Sequence, residues 1–221
     1  MNKLVEKLPY WSSLTEEEKK MVSEAAVLRN YSAGSLLHGS CKGGSCLGMI
    51  YVVKGEVRAY IVSEEGREIT IFRIREGESC VLSASCIISQ ISFDTQLTIV
   101  SDSEILIVPA SVFARLTRSN LSVKCYMYEL ATARFSNVMW TMQQILFFRF
   151  DQRLSSFLLQ EYQRTKDPVI HMTQEQIAQN VNSAREVVAR MLRQFVSEGI
   201  LEIRRGVIEI KDIEALEALT E

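Results

Sequence analysis

The sequence predicts an α+β fold: an antiparallel β-sandwich or barrel, then one long helix, then a pair of short helices closed by a β-hairpin. Three observations predict it. Gly34, Gly44, Gly55, Gly66 and Gly77 recur every ten or eleven residues with β-rich runs between them. Residues from Leu121 to Leu146 place apolar side chains at alternating four- and three-residue steps. The segment Thr173 to Phe195 carries two helix-start signals ten residues apart, and two alternating apolar runs follow it. A chain of 221 residues with 47% hydrophobic content can support two compact domains, and patterning changes from period two to helical near residue 110.

The elements follow in order. Tyr10-Trp11 followed by Leu14-Thr-Glu-Glu-Glu18 reads as an N-terminal helix with acidic residues in its first turn, where they complement the helix dipole; its role is packing. The runs Met49–Val53, Val57–Val62 and Ile69–Phe72 read as strands. Lys54-Gly55 and Glu65-Gly66 sit where tight turns are expected, glycine supplying the positive φ. In the long helix, roughly Asn120 to Phe148, a heptad seam runs through Leu121, Cys125, Tyr128, Thr132, Phe135, Met139, Met142 and Leu146. A second copy of the helix could bury that seam in a parallel dimer. A second apolar face, Met127, Ala131, Val138 and Ile145, suits packing onto the helix's own barrel.

In the C-terminal segment, Thr173 with Gln176 and Ser183 with Glu186 each have the spacing of a capping box. Ile177, Ala178 and Val181, then Val187, Val188, Met191, Leu192 and Phe195, face inward at helical spacing. The free face of the second helix carries Arg185, Glu186, Arg190 and Arg193. An arginine near the N-terminus of a helix in the major groove can present its fork to guanine O6 and N7, and a glutamate can accept from cytosine N4. A hairpin of helices with a merely solvated face is the alternative. Residues 199–211 read as a β-hairpin with Arg204, Arg205 and Gly206 at its tip, a wing that sets cations beside a phosphate backbone.

These residues resemble the CRP/FNR superfamily of bacterial transcription regulators. The matching positions are Thr173, Ile177, Ala178, Ser183, Arg185, Glu186 and Arg190, with Phe150 to Leu159 leading into the same domain. The resemblance covers nearly the whole chain. It implies a double-stranded β-helix (jelly-roll) sensor domain of the cyclic-nucleotide-binding kind at 1–119, a dimerisation helix at 120–148 and a winged helix-turn-helix at 149–221. By resemblance Arg185 and Glu186 read bases, Arg190 supports that readout, Thr173 and Ser183 hold phosphates, and Arg204 and Arg205 belong to the wing. Gln174 stands where many relatives carry arginine, which weakens one phosphate contact and alters affinity more than sequence preference. The implied partners are double-stranded DNA, a second copy of the chain and RNA polymerase.

Relatives that bind a cyclic nucleotide carry Gly-Glu-Leu after the turn at Gly77 and Arg-Ser some ten residues later. Here Ser79 to Cys86 and Phe93 to Thr98 lack both the glutamate and the arginine. A buried phosphate without a cation carries a large desolvation cost, so cyclic AMP and cyclic GMP are disfavoured as effectors. Cys41, Cys46, Cys80 and Cys86 occupy the barrel instead. They read either as small packing residues or as a ligand or redox set for oxidants, metal or an iron–sulfur cluster, although C-x4-C and C-x5-C are not common site spacings. Residues 1–29 carry no cysteine, so the N-terminal cluster ligation of FNR does not transfer. Haem is a further effector of the superfamily; His38 reads as an axial ligand or as an ordinary strand residue.

With no signal peptide and no apolar run long enough to span a membrane, the sequence predicts a cytoplasmic protein with reduced thiols. Only His38 and His171 supply imidazole, and no Ser-His-Asp set, Walker loop or dinucleotide glycine motif is present, which argues against an enzyme. A net charge of −2 disfavours a nucleic-acid partner in sum. Between residues 185 and 205, however, five arginines face three glutamates, a local charge of +2. A sensor acting through protein contacts alone is the competing class, and it would not need the arginine-bearing helix.

Overall fold

The structure, a computed structural model, describes residues 2–38, 47–81 and 95–220. Two compact units divide the chain: Met1–Arg67 with Ile71–Met139, and Glu68–Thr70 with Trp140–Glu221.

The first unit opens with helices α1 (Asn2–Val5) and α2 (Glu16–Ala25). Thr15 caps α2 in a full capping box with Glu18, and Glu16–Glu18 fill the first turn, as the acidic run predicts. Strands β1 (Val27–Tyr31), β2 (Leu36–His38), β3 (Met49–Val62), β4 (Glu68–Arg75), β5 (Ser79–Cys80) and β6 (Gln96–Val108) form one sheet in the order β1-β6-β3-β4, with β2 on β6 and β5 on β3. Alternation along the two long strands builds two cores. Ile50 and Val52 of β3 with Ile105 and Ile107 of β6 face one; Met49 and Tyr51 with Leu106 and Val108 face the other, against Val22, Phe113 and Leu116.

Glu65-Gly66 turns between β3 and β4 as expected, with Gly66 N–H donating to the Ser63 carbonyl. Lys54-Gly55 does not form a turn. Strand β3 continues through it, with register shifts against β6 between Val52 and Val57. Gly55 takes φ 94° inside this bulge, and a Cβ there would lie 2.1 Å from Ser103 Oγ. Glycine is therefore required by a bulge and a close neighbour, two demands that sequence does not distinguish from a hairpin.

Helix α3 (Ala110–Ser119) follows β6 and meets α4 (Leu121–Phe147) at Asn120. The Asn120 side chain accepts from the N–H groups of Ser122 and Val123 and donates to Glu18 Oε2 and the Ser13 carbonyl. One residue thus caps α4 and ties its start to the N-terminal helices. Val123 and Met127 are buried against the first unit, and Ala131 and Val138 are partly buried there. The division between units falls inside α4, between Met139 and Trp140.

The second unit contains α5 (Phe150–Thr165), β7 (Val169–Ile170), α6 (Gln174–Asn180), α7 (Arg185–Ser197), β8 (Leu201–Arg204), β9 (Val207–Ile210) and α8 (Ile213–Ala218). Helix α4 stops before Arg149, whose backbone is extended and whose N–H donates to Gln152, opening α5. Ile177, Val188, Leu192 and Phe195 pack with Leu154, Leu158 and Ile208 in one core. The sheet order is β7-β9-β8.

Candidate nucleic-acid interface

Thr173 accepts from Gln176 N–H while the Gln176 side chain accepts from Thr173 N–H, so the first predicted capping box forms. The Thr173 hydroxyl also donates to Gln176 Oε1, which commits its proton within the box. The second predicted box does not form. Helix α7 begins one residue late for it: Ala184 is the N-cap, and its carbonyl takes the N–H groups of Val187 and Val188. Ser183 instead lies in the connection, its N–H donating to the Ala178 carbonyl, after Asn182 at φ 53°. Asparagine tolerates this left-handed conformation, and spending a residue on it displaces the helix start. Ala184 offers no side-chain acceptor, so the first N–H groups of α7 are left for solvent or a ligand.

Arg185 is the first residue of α7, and it, Glu186, Arg190 and Arg193 are exposed, opposite the face on which Val188, Leu192 and Phe195 are sealed. Arg193 Nε donates to the Ala189 carbonyl, lying along its own helix. Among the described residues Arg185, Arg190 and Arg205 carry no ion pair. An open groove of about 670 Å³ is lined by Thr173, Gln174, Arg185, Arg204 and Arg205 over a floor that includes Leu192 and Ile208. The groove brings together the start of α7, the cap that precedes α6 and the tip of the β8–β9 hairpin. Ser183, Glu186 and Arg190 lie outside its lining.

The wing is a two-residue loop: Arg204 pairs with Val207, and Gly206 takes φ 74°. Arg204 donates through Nε and Nη2 to Glu202 Oε1 at 3.0 and 2.8 Å. Lys211 Nζ lies 3.2 Å from Glu202 Oε2 and 2.6 Å from Glu209 Oε1. Hydrogen bonds from Arg204 and Lys211 hold the Glu202 carboxyl below the usual carboxylate range, while the bond to Glu202 raises Arg204 and the bonds to Glu209 and then Glu202 raise Lys211.

Of the predicted seam, Leu121, Cys125, Tyr128, Thr132, Phe135, Met139, Met142 and Leu146 are all exposed. Leu121 is 74%, Phe135 64% and Leu146 65% accessible in the single chain. Cys80 is buried in β5, whereas Cys41, Cys46 and Cys86 lie outside the described residues. His38 ends β2; its side chain is outside them as well. Among the described residues no cluster of three His, Cys, Asp or Glu side chains could hold a metal ion. No helix among them is long and apolar enough to cross a membrane.

Sequence reasoning missed the buried arginines of the first unit. Arg58 of β3 lies 4.4 Å from the Tyr60 ring centroid. Arg134 of α4, with 8% of its side chain exposed, donates to the Ser79 carbonyl at 2.9 Å, lies 3.5 Å from Glu78 and stacks 4.8 Å over Phe72. A charge inside a helix between Ala133 and Phe135 carries no signal of burial, because only the strand opposite reveals its acceptor.

The Crp-like helix-turn-helix domain family matches residues 152–219, and the cyclic nucleotide-binding domain family matches residues 28–120. A crystal structure of a crp/fnr-family protein from Eubacterium rectale is similar with TM-score 0.90 and 36% identity, over 97% of this chain and 98% of that one. A CRP/FNR-family transcriptional regulator from Thermus thermophilus is similar with TM-score 0.66 and 17% identity, over 88% and 98%. A CooA variant from Carboxydothermus hydrogenoformans is similar with TM-score 0.69 and 18% identity, over 97% and 95%. At those lower identities the likeness concerns the fold. No curated protein sequence matches the chain.

Proposed function

Because the chain belongs to the CRP/FNR family of transcription regulators, we propose that it acts as a homodimer whose two α7 helices read a palindromic operator. The single observation that supports base readout is Arg185: it opens α7, is exposed, and has no ion pair among the described residues. From that place its fork can take guanine O6 and N7, with Glu186 beside it for cytosine N4. Gln174, Thr173 and the wing arginines serve the backbone, and the α7 N-terminus serves it through open N–H groups. Since the Thr173 hydroxyl proton is given to Gln176 Oε1, and a phosphate oxygen only accepts, a phosphate contact by Thr173 requires that proton to be redirected from the box to the DNA.

Dimerisation runs through the seam from Leu121 to Leu146. Two-fold symmetry then sets half-sites about 34 Å apart, one turn of DNA. Signals enter at the first unit. Arg134 links α4 to the carbonyl of β5, so an effector that moves β5 moves the dimerising helix, and the break at Arg149 passes this on. The candidate effectors are a thiol oxidant, a metal, an iron–sulfur cluster and haem, sensed by a protein that works in the cytoplasm and engages RNA polymerase at the promoter. The visible spectrum of anaerobically purified protein separates haem, cluster and colourless forms.

The test of base readout is Arg185→Ala in fluorescence-anisotropy binding. Discrimination between the selected operator and its guanine-substituted variant should fall by roughly 10- to 100-fold, one bidentate contact. Unchanged discrimination would favour a sensor that works through protein contacts alone.

A further inference from the structure

The wing carries a carboxylate that the DNA-reading surface does not need for its fold. Glu202 is paired across the sheet with Glu209, a like-charge pair that opposes strand pairing until Lys211 bridges the two. Its other partner is Arg204, which presents both Nε and Nη2 to the single oxygen Oε1. That edge of the guanidinium is the one a phosphate oxygen would occupy. One anion can hold it at a time. Arg205, at the tip, has no such partner among the described residues, and the Arg204 side chain is 72% exposed, free to exchange.

We propose that Glu202 is a specificity-determining residue that competes with DNA phosphate for Arg204, so that the wing engages the duplex fully only when α7 is seated in its site. This rests on the DNA-reading function proposed above. In unbound protein the wing hairpin carries Arg204, Arg205 and Lys211 together with Glu202 and Glu209, a net charge of +1. Random DNA offers phosphates at no fixed place, and the carboxylate, tethered two residues away, outcompetes them. In the specific complex α7 fixes one phosphate beside the wing, and Arg204 transfers to it while Lys211 retains both carboxylates. The device lowers non-specific affinity more than specific affinity.

The experiment is a double-mutant cycle on the full-length protein, Glu202→Gln, Arg204→Ala and both, titrated against random-sequence and operator DNA across a salt series. Both residues lie on the surface, and matched thermal melting checks the fold. Glu202→Gln is expected to raise affinity for random DNA about tenfold at low salt and to steepen the salt slope by about 0.9 per engaged protomer. Operator affinity should change less, so discrimination falls. Arg204→Ala is expected to erase the gain. An unchanged or reduced random-DNA affinity in Glu202→Gln overturns the proposal while leaving base readout by Arg185 standing. A gain that persists without Arg204 overturns it too, showing a general charge effect. Failure of every form to bind DNA at low salt overturns both readings together.

Discussion

Replacing Phe135 by alanine weakens the dimer, and the structure sets by how much. The side chain is 64% accessible in the single chain, so the proposed partner helix covers about two thirds of it. Complete burial of a phenylalanine contributes about 1.5–3 kcal/mol, and that fraction gives about 1–2 kcal/mol per copy. The symmetric interface contains the residue twice, so Phe135→Ala costs about 2–4 kcal/mol. At 1.4 kcal/mol per decade the monomer–dimer constant rises roughly 30- to 700-fold. Sedimentation equilibrium over a concentration series measures it. Glu214→Ala, exposed on α8 and away from the seam, is the matched control and should leave the constant alone. Since Phe135 lies outside the buried core, unfolding of the monomer is not the route of the effect. Equal constants for wild type and Phe135→Ala would refute the seam, as would a monomeric wild type at micromolar concentration.

Cys125 occupies the same seam and is exposed in the single chain, so a parallel two-fold axis brings its two copies together. Mild oxidation with a soluble disulfide should yield a covalent dimer on non-reducing gels that Cys125→Ser lacks; a monomeric band from wild type would place the axis elsewhere. The two start signals of the helix pair should differ in strength. Thr173→Ala loses a formed capping box and should lower stability by about 1 kcal/mol in urea melts, whereas Ser183→Ala, which caps nothing, should stay within about 0.5 kcal/mol. A larger loss at Ser183 than at Thr173 would contradict the assigned helix starts.

Most of the α+β order was legible because each element carried a local signal of its own. The capping residues Thr15 and Thr173, the wing around Gly206 and the stripe of Val188, Leu192 and Phe195 are patterns set by hydrogen-bond spacing and helical period, which need no knowledge of the rest of the chain. The long helix was legible to within a residue, because period 3.5 over seven turns leaves little freedom of placement. The exposed face of α7 followed from that periodicity too: once the apolar stripe is sealed, Arg185 and Arg190 can only be outside.

Tertiary structure decided what depends on a partner distant in the chain. Gly55 has the sequence signature of a turn but sits in a bulge of β3, where Ser103, on another strand, leaves no room for a side chain. Ser183 has the spacing of a cap but does not cap α7, since the inter-helix turn uses Asn182 first. Arg134 looked like any helix cation until the Ser79 carbonyl and the Phe72 ring were set against it, and Glu202 looked like a dispersed negative charge until strand pairing put Lys211 within reach of it. Sequence alone therefore determined the elements and which side of each is wet, through periodicity and caps. Only the folded chain decided which charges meet, because an ion pair is a distance between residues that the linear order leaves free.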